Sequence, residues 1–218
     1  MAKIGVCLSG CGFNDGAEIH ESVITALALD RAGAEILYTA PDMEQTKVVN
    51  HLSGENMNEE RNVLIESARI ARGEIKDMAE LSGNDLDALI MPGGFGVAKN
   101  LCDYAMAGAE CSVNPDVYRL VSEMHLAGKP IGAICIAPAM MAKILGEQDA
   151  SAEMTIGSDE VTAGDIEKMG STHIACPVSD MVVDKDNKLV TTPAYMEAKS
   201  IKEAAEGIEK LVAEVLSM

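Results

Sequence analysis

The chain has 218 residues, 48% of them hydrophobic, which is enough to bury a substantial core. Basic residues number 17 and acidic ones 35, a net charge of −18 that argues against nucleic acid or an anionic membrane as partner. Aromatics make up 3% with no Trp, so the core is aliphatic and methionine-rich, and no apolar run is long enough to span a bilayer.

Lys3 to Leu8 is apolar enough for a central strand, followed by a loop at Ser9-Gly10-Cys11-Gly12. With so little chain ahead of that strand no signal peptide is expected, and the protein reads as cytoplasmic. Glu18 to Ala32 carries Ile19, Val23 and Leu27 at a helical period, closed by Gly33. Ala34 to Ala40 gives a second strand, stopped by Pro41-Asp42. Asn58 to Arg72 predicts a helix with Val63, Leu64, Ile65 and Ala68 inward, capped by Gly73. Leu86 to Met91 is a third strand ending at Pro92-Gly93-Gly94.

Val117 to Leu126 reads as a helix stopped by Gly128, and a fourth strand leads into Cys135. Glu160 to Met169 predicts a helix. Ile174 to Asp184 and Leu189 to Thr192 predict a strand pair around Lys185-Asp186-Asn187-Lys188. Glu197 to Leu216 is a terminal helix with an apolar face at Ile201, Ala205, Ile208, Leu211 and Val215. Strands alternating with helices predict an α/β, three-layer sandwich: a mostly parallel central sheet with helices on both faces. No linker, repeat or low-complexity tract interrupts it, so residues 1–218 read as one domain.

Six cysteines (Cys7, Cys11, Cys102, Cys111, Cys135 and Cys176) lack the pairings of a zinc site, and no metal or other cofactor is expected. Cys7 reads as core in the first strand. His20-Glu21 starts like a zinc-protease motif, but Ile24 stands where the second histidine belongs.

Cys135 is different. The apolar run Ile131 to Ile134 ends at it, and Ile136-Ala137-Pro138-Ala139 begins a helix that tolerates proline in its first turn. A cysteine on a strand-to-helix turn stands out at the carboxyl edge of the sheet, as in a nucleophile elbow. A helix N-terminus beside the sulfur favours thiolate over thiol. The competing reading is a buried structural cysteine. Gly93-Gly94 after a buried strand lets backbone N–H groups approach a ligand closely. The N–H groups of Gly94 and Ile136 are the candidate donors to an oxyanion formed by attack on a carbonyl. Gly10-x-Gly12 with Gly16 is a poor dinucleotide motif, because its loop carries Asp15 and Glu18.

The blocks Asp87 to Gly94, Ala98 to Leu101 and Gly132 to Pro138 resemble the class I glutamine-amidotransferase-like superfamily, whose fold is flavodoxin-like. Within it, the chain is similar to the branch of the PfpI proteases and the parkinsonism-associated deglycase. Leu8 to Gly12, Asp15 to Glu21, Arg61 to Glu66 and Val190 to Met196 look like the bacterial ElbB group, named for isoprenoid biosynthesis and described as glyoxalase-like. The resemblance puts the superfamily's nucleophile on Cys135. It puts the branch's helix-one glutamate, which sits protonated against the thiolate, on Glu21 rather than Glu18. Relatives commonly dimerise, so a homodimer is implied.

One part of the branch's pattern is missing. Met154 to Asp159, where a catalytic histidine would fall, holds none; the histidines are His20, His51, His125 and His173. His20 and Glu21, as helix neighbours, point about 100° apart. Whether His20 or His173 assists Cys135 is open at this level. Without a histidine nothing evident protonates a leaving amine, whereas thiolate addition to a reactive dicarbonyl needs less. The resemblance and this departure together imply a glyoxalase-type enzyme, free of glutathione, that converts glyoxal-like 2-oxoaldehydes to 2-hydroxy acids. Its partner would be a small aldehyde substrate. The alternatives are a redox-responsive interaction protein with a peroxide-sensitive Cys135, and a glutaminase-like subunit that needs a partner.

Overall fold

The computed structural model describes residues 1–218. In chain order the elements are β1 (Lys3–Cys7), α1 (Ile19–Arg31), β2 (Glu35–Ala40), α2 (Val63–Ile70), β3 (Ile75–Asp77) and β4 (Ala88–Met91). There follow α3 (Tyr104–Ala107), α4 (Pro115–Leu126), β5 (Ile131–Ile134), α5 (Ala137–Gly146), β6 (Glu153–Met154) and α6 (Glu160–Lys168). The chain closes with β7 (Thr172–His173), β8 (Val182–Asp184), β9 (Leu189–Thr192) and α7 (Ile201–Ser217).

The main sheet has seven strands in the order β3-β2-β1-β4-β5-β9-β8, all parallel except β8, which runs antiparallel to β9. Strands β4, β5 and β9 are buried along their whole length, as expected where both faces of a parallel sheet are covered. One apolar cluster of 28 residues packs α4, α5 and α6 on one face. A second, of 17, packs α1 and α7 on the other and includes Cys135. The chain steps outward from β1 to β2 and β3, then returns to β4 on the other side of β1. That reversal opens a crevice beyond the carboxyl ends of β1 and β4, the place where such sheets bind ligands.

The elements depart from the sequence reading in several places. Strand β3 escapes the pattern because it is a three-residue edge strand with Lys76 and Asp77 in it. Helix α2 starts at Val63, not near Asn58. The Asn62 side chain caps it by accepting the N–H of Ile65, while Arg61 O is tied to the N–H of Gln45. Its inward residues are Val63, Glu66 and Ser67, whereas Ile65 faces solvent.

In α1 the helical period holds but the face is reversed. Ile19, Val23 and Leu27 are 43%, 49% and 43% exposed, and Glu21, Ser22, Ile24, Thr25 and Leu29 point inward. Ile201 on α7 is likewise exposed. Of the strand expected from Ile174, only Val182–Asp184 joins the main sheet, because the preceding residues around Val178 and Asp180 pass close over α7 at Gly207 as a loop. The small parallel pair of β6 and β7 is too short to leave a periodic signal.

Candidate functional site

Strand β5 feeds directly into α5, and Cys135 is the hinge residue. Its φ is 63°, a left-handed conformation uncommon for a residue with a Cβ. Its N–H continues the ladder to Thr192 O at 2.9 Å, so the sheet holds the strained residue in place. Ile136 is the N-cap of α5 and Pro138 occupies its first turn, where no backbone donor is lost. The backbone N–H groups of Gly94 and Ile136 lie on the sulfur's side of the turn and favour its charged form.

The loop after β4 comes within reach because it is glycine. Gly94 has a φ of +96°. A Cβ on Gly93 would run into Cβ of Cys135 and lie 2.8 Å from Oε2 of Glu21, closer than real contacts allow. The loop after β1 is fixed from below by the buried Asn100, whose amide donates to Ser9 O and Asp15 O at 3.0 and 2.9 Å.

Glu21 comes from the first turn of α1 and is 0% exposed. Its Oε2 accepts the N–H of Gly93 at 2.8 Å and its Oε1 the N–H of Tyr195 at 3.1 Å. The carboxyl lies beside the Cys135 side chain, both of them packed against Gly93. Burial, and then the charge of Glu18, push Glu21 up to about 7 against the two backbone donors. Glu18 caps α1, accepting the Glu21 N–H at 2.7 Å.

The sequence argument for a thiolate at the helix start requires correction. Burial, followed by the charge of Glu21, pushes the Cys135 thiol well above its ordinary value, and the Gly94 and Ile136 N–H groups offset only part of this. Full desolvation of a charge outweighs two backbone dipoles. The thiol therefore keeps its proton at neutral pH, and Glu21 is brought into the neutral range beside it. Cys7, buried in β1, is raised to about 12.

Above the pair lies a cavity of about 410 Å³. The structure brings Cys135, Gly94 and Ile136 together on its wall, with Glu21 buried behind Cys135. It brings in no histidine. His20 sits on the surface with Nδ1 2.7 Å from the Tyr195 hydroxyl, and His173 accepts the Ile156 N–H at 3.3 Å. His51 lies against Asp15, and His125 is near the end of α4. At the segment that lacks the branch's histidine, Asp159 caps α6 and lines the cavity.

The residue-by-residue reading missed most of the cavity's lining. Phe13, Phe95, Tyr104, Tyr195 and Met196 form its walls, with Glu18, Asp159 and Thr162 as polar members. A signal was available: the chain has two phenylalanines and four tyrosines, and both of the former and two of the latter sit here. Tyr104 reaches the cavity from the segment between Asp103 and Pro115 and donates to Oδ2 of Asp165 at 3.1 Å. The Thr191-Thr192-Pro193-Ala194 block acts from behind, since Thr192 O takes the Cys135 N–H and the turn at Ala194 delivers the Tyr195 N–H to Glu21.

The DJ-1/PfpI family profile matches residues 11–202. A human protein, glutamine amidotransferase-like class 1 domain-containing protein 3, mitochondrial, is 44% identical over 227 residues, covering 100% of this chain and 83% of its own. A rat ES1 protein homolog, mitochondrial, is 43% identical, with coverage of 100% and 84%. Among solved structures, an isoprenoid biosynthesis protein with amidotransferase-like domain from Ehrlichia chaffeensis superposes with a TM-score of 0.93 at 37% identity. That match covers 100% of this chain and 99% of the other.

Proposed function

The chain belongs to the DJ-1/PfpI family, and on that premise we propose that it is a cysteine-dependent enzyme converting 2-oxoaldehydes to 2-hydroxy acids without glutathione or metal. The observation that carries this reading is the juxtaposition of Cys135, at the strand-to-helix turn on the cavity wall, with the fully buried Glu21 carboxyl packed beside it against Gly93.

In the first step the sulfur bonds to the aldehyde carbon and the C=O π electrons move to oxygen. That oxygen takes the proton of the pair, giving a hemithioacetal. Glu21, now a carboxylate, removes the hydrogen on that carbon; the C–H electrons form a C=C bond and those of the neighbouring C=O move to its oxygen, giving an enediolate. Glu21 returns its proton to the neighbouring carbon, and the hydroxyl proton passes to the enediolate oxygen, leaving a 2-hydroxy thioester on Cys135. Water then cleaves the S–C bond, releasing the 2-hydroxy acid and restoring the thiol, so one water is consumed per aldehyde. The N–H groups of Gly94 and Ile136, both on the cavity wall with Cys135, would hydrogen-bond the oxygen that forms beside the sulfur. Amide hydrolysis fits less well, because the lining contains no histidine to protonate a leaving amine.

The test is glyoxal consumption by the reduced protein, with the product identified by NMR, against Cys135→Ser and Glu21→Gln. Conversion to glycolate that both substitutions abolish supports the reading. Turnover that survives Cys135→Ser, or none above background, overturns it. A homodimer belongs to the same proposal and is supported by the exposed Ile19, Val23 and Leu27. Cytoplasmic residence also belongs to it, supported by six free thiols of the kind a reducing compartment maintains. No helix is long and apolar enough to cross a membrane.

A further inference from the structure

We propose that the preferred substrate is a neutral carbonyl compound carrying a bulky apolar, preferably aromatic, substituent, with glyoxal itself a poor occupant of the site. This deepens the glyoxalase-type reading and rests on it for the chemical step.

The first argument is size. The cavity of about 410 Å³ falls in the range of about 300–1,000 Å³ that holds drug-sized ligands. Glyoxal has two carbons and two oxygens and fills a small part of it. A dicarbonyl bonded to Cys135 would leave the space out to Phe13 and Phe95 for whatever substituent it carries.

The second argument is the lining. Nine of its 13 residues are hydrophobic, and four are the aromatics Phe13, Phe95, Tyr104 and Tyr195. In a chain of 3% aromatic content, Tyr104 and Tyr195 also pack against the core clusters, but both phenylalanines belong to neither. Phe13 and Phe95 are 49% and 48% exposed. Rings left half in water gain by being covered with an apolar group, and ring faces and edges favour another ring.

The third argument is charge. The lining carries Glu18 and Asp159 and no lysine or arginine. Asp159 is held below the usual carboxylate range by its hydrogen bonds to Thr162, so it stays ionised. Lys99 lies 4.7 Å from the centre of the Phe95 ring, but its Nζ donates to Asn14 O. A carboxylate or phosphate on the substrate would meet two like charges in a partly desolvated space.

The experiment has two arms. In the first, kcat/KM is measured for phenylglyoxal, 4-carboxyphenylglyoxal and glyoxal. In the second, Cys135 is alkylated with 2-bromoacetophenone or 4-(bromoacetyl)benzoate, followed by mass spectrometry, each rate being divided by that with 2-mercaptoethanol. The neutral aryl compound is expected to exceed its carboxylated analogue by at least about tenfold in both arms, and glyoxal by a similar factor in the first. Phe95→Ala and the milder Phe95→Leu should shrink that preference in order. Rates for the neutral and carboxylated compounds within about twofold of each other overturn the inference, even if glyoxal is turned over well. Selective alkylation without turnover of any dicarbonyl leaves the ligand class standing and removes the enzymatic reading instead.

Discussion

The backbone N–H of Tyr195 donates to Oε1 of Glu21 at 3.1 Å, joining the start of α1 to the turn after β9 across 174 residues of chain. With Gly93 N–H on Oε2, both oxygens of a fully buried carboxyl are spoken for by backbone. Glu21 is thereby a structural keystone as well as the neighbour of Cys135.

Its titration gives the first prediction. The folded value of about 7 stands above the ordinary 4.5, so the folded state binds the proton more tightly. The associated stability is fully present below pH 4.5 and is lost as pH rises through 7. The loss is on the order of 3 kcal/mol. Glutamine cannot titrate and has one acceptor oxygen for two backbone donors. Glu21→Gln should therefore cost about 1–3 kcal/mol at pH 4.5, with the gap to the parent closing toward pH 7. Urea denaturation of both proteins across this range checks it; a gap independent of pH would be the contrary result.

Strain at Cys135 gives the second. An L-residue at φ 63° carries roughly 1–2 kcal/mol that glycine does not. Cys135→Gly is expected to be more stable than Cys135→Ala by about 0.5–1 kcal/mol once the entropy of glycine is counted. Both should be inactive. An alanine variant that equals or exceeds the glycine one in chemical denaturation would show that the turn is relaxed.

Gly93 is the third. Its backbone does not require glycine, but an added Cβ collides with Cys135 and Glu21. Gly93→Ala should cost about 1–3 kcal/mol by overpacking. It should also change the alkylation rate of Cys135 while leaving the exposed fraction of Cys11 and Cys176 reacting as before. A variant with parental melting and parental Cys135 reactivity would refute the close contact.

The fourth concerns the outer face of α1. Ile19, Val23 and Leu27 form a stripe at i, i+4 and i+8 that the fold leaves in water. Val23→Glu should shift sedimentation from dimer to monomer without lowering the melting temperature of the monomer. A parent that sediments as a monomer at all concentrations would remove the dimer from the proposal.

The sequence by itself determined the alternation of strands and helices, the elbow at Cys135 and the glycine turn after β4. These rest on local chemistry: an apolar run ending at a cysteine, a proline one turn into a helix, and two glycines where the backbone must approach closely. The resemblance pointed to Glu21. Only the tertiary structure decided which face of α1 turns inward, because a period of 3.6 fixes a stripe but not its partner, and here Glu21 and Leu29 face the sheet while Ile19, Val23 and Leu27 do not. It alone decided the proton of the Glu21–Cys135 pair, since desolvation belongs to packing and reverses what a helix start would favour. The cavity was illegible for the same reason: Phe13, Phe95, Tyr104 and Tyr195 come from four separate segments of the chain and meet only when the sheet brings its carboxyl edge together.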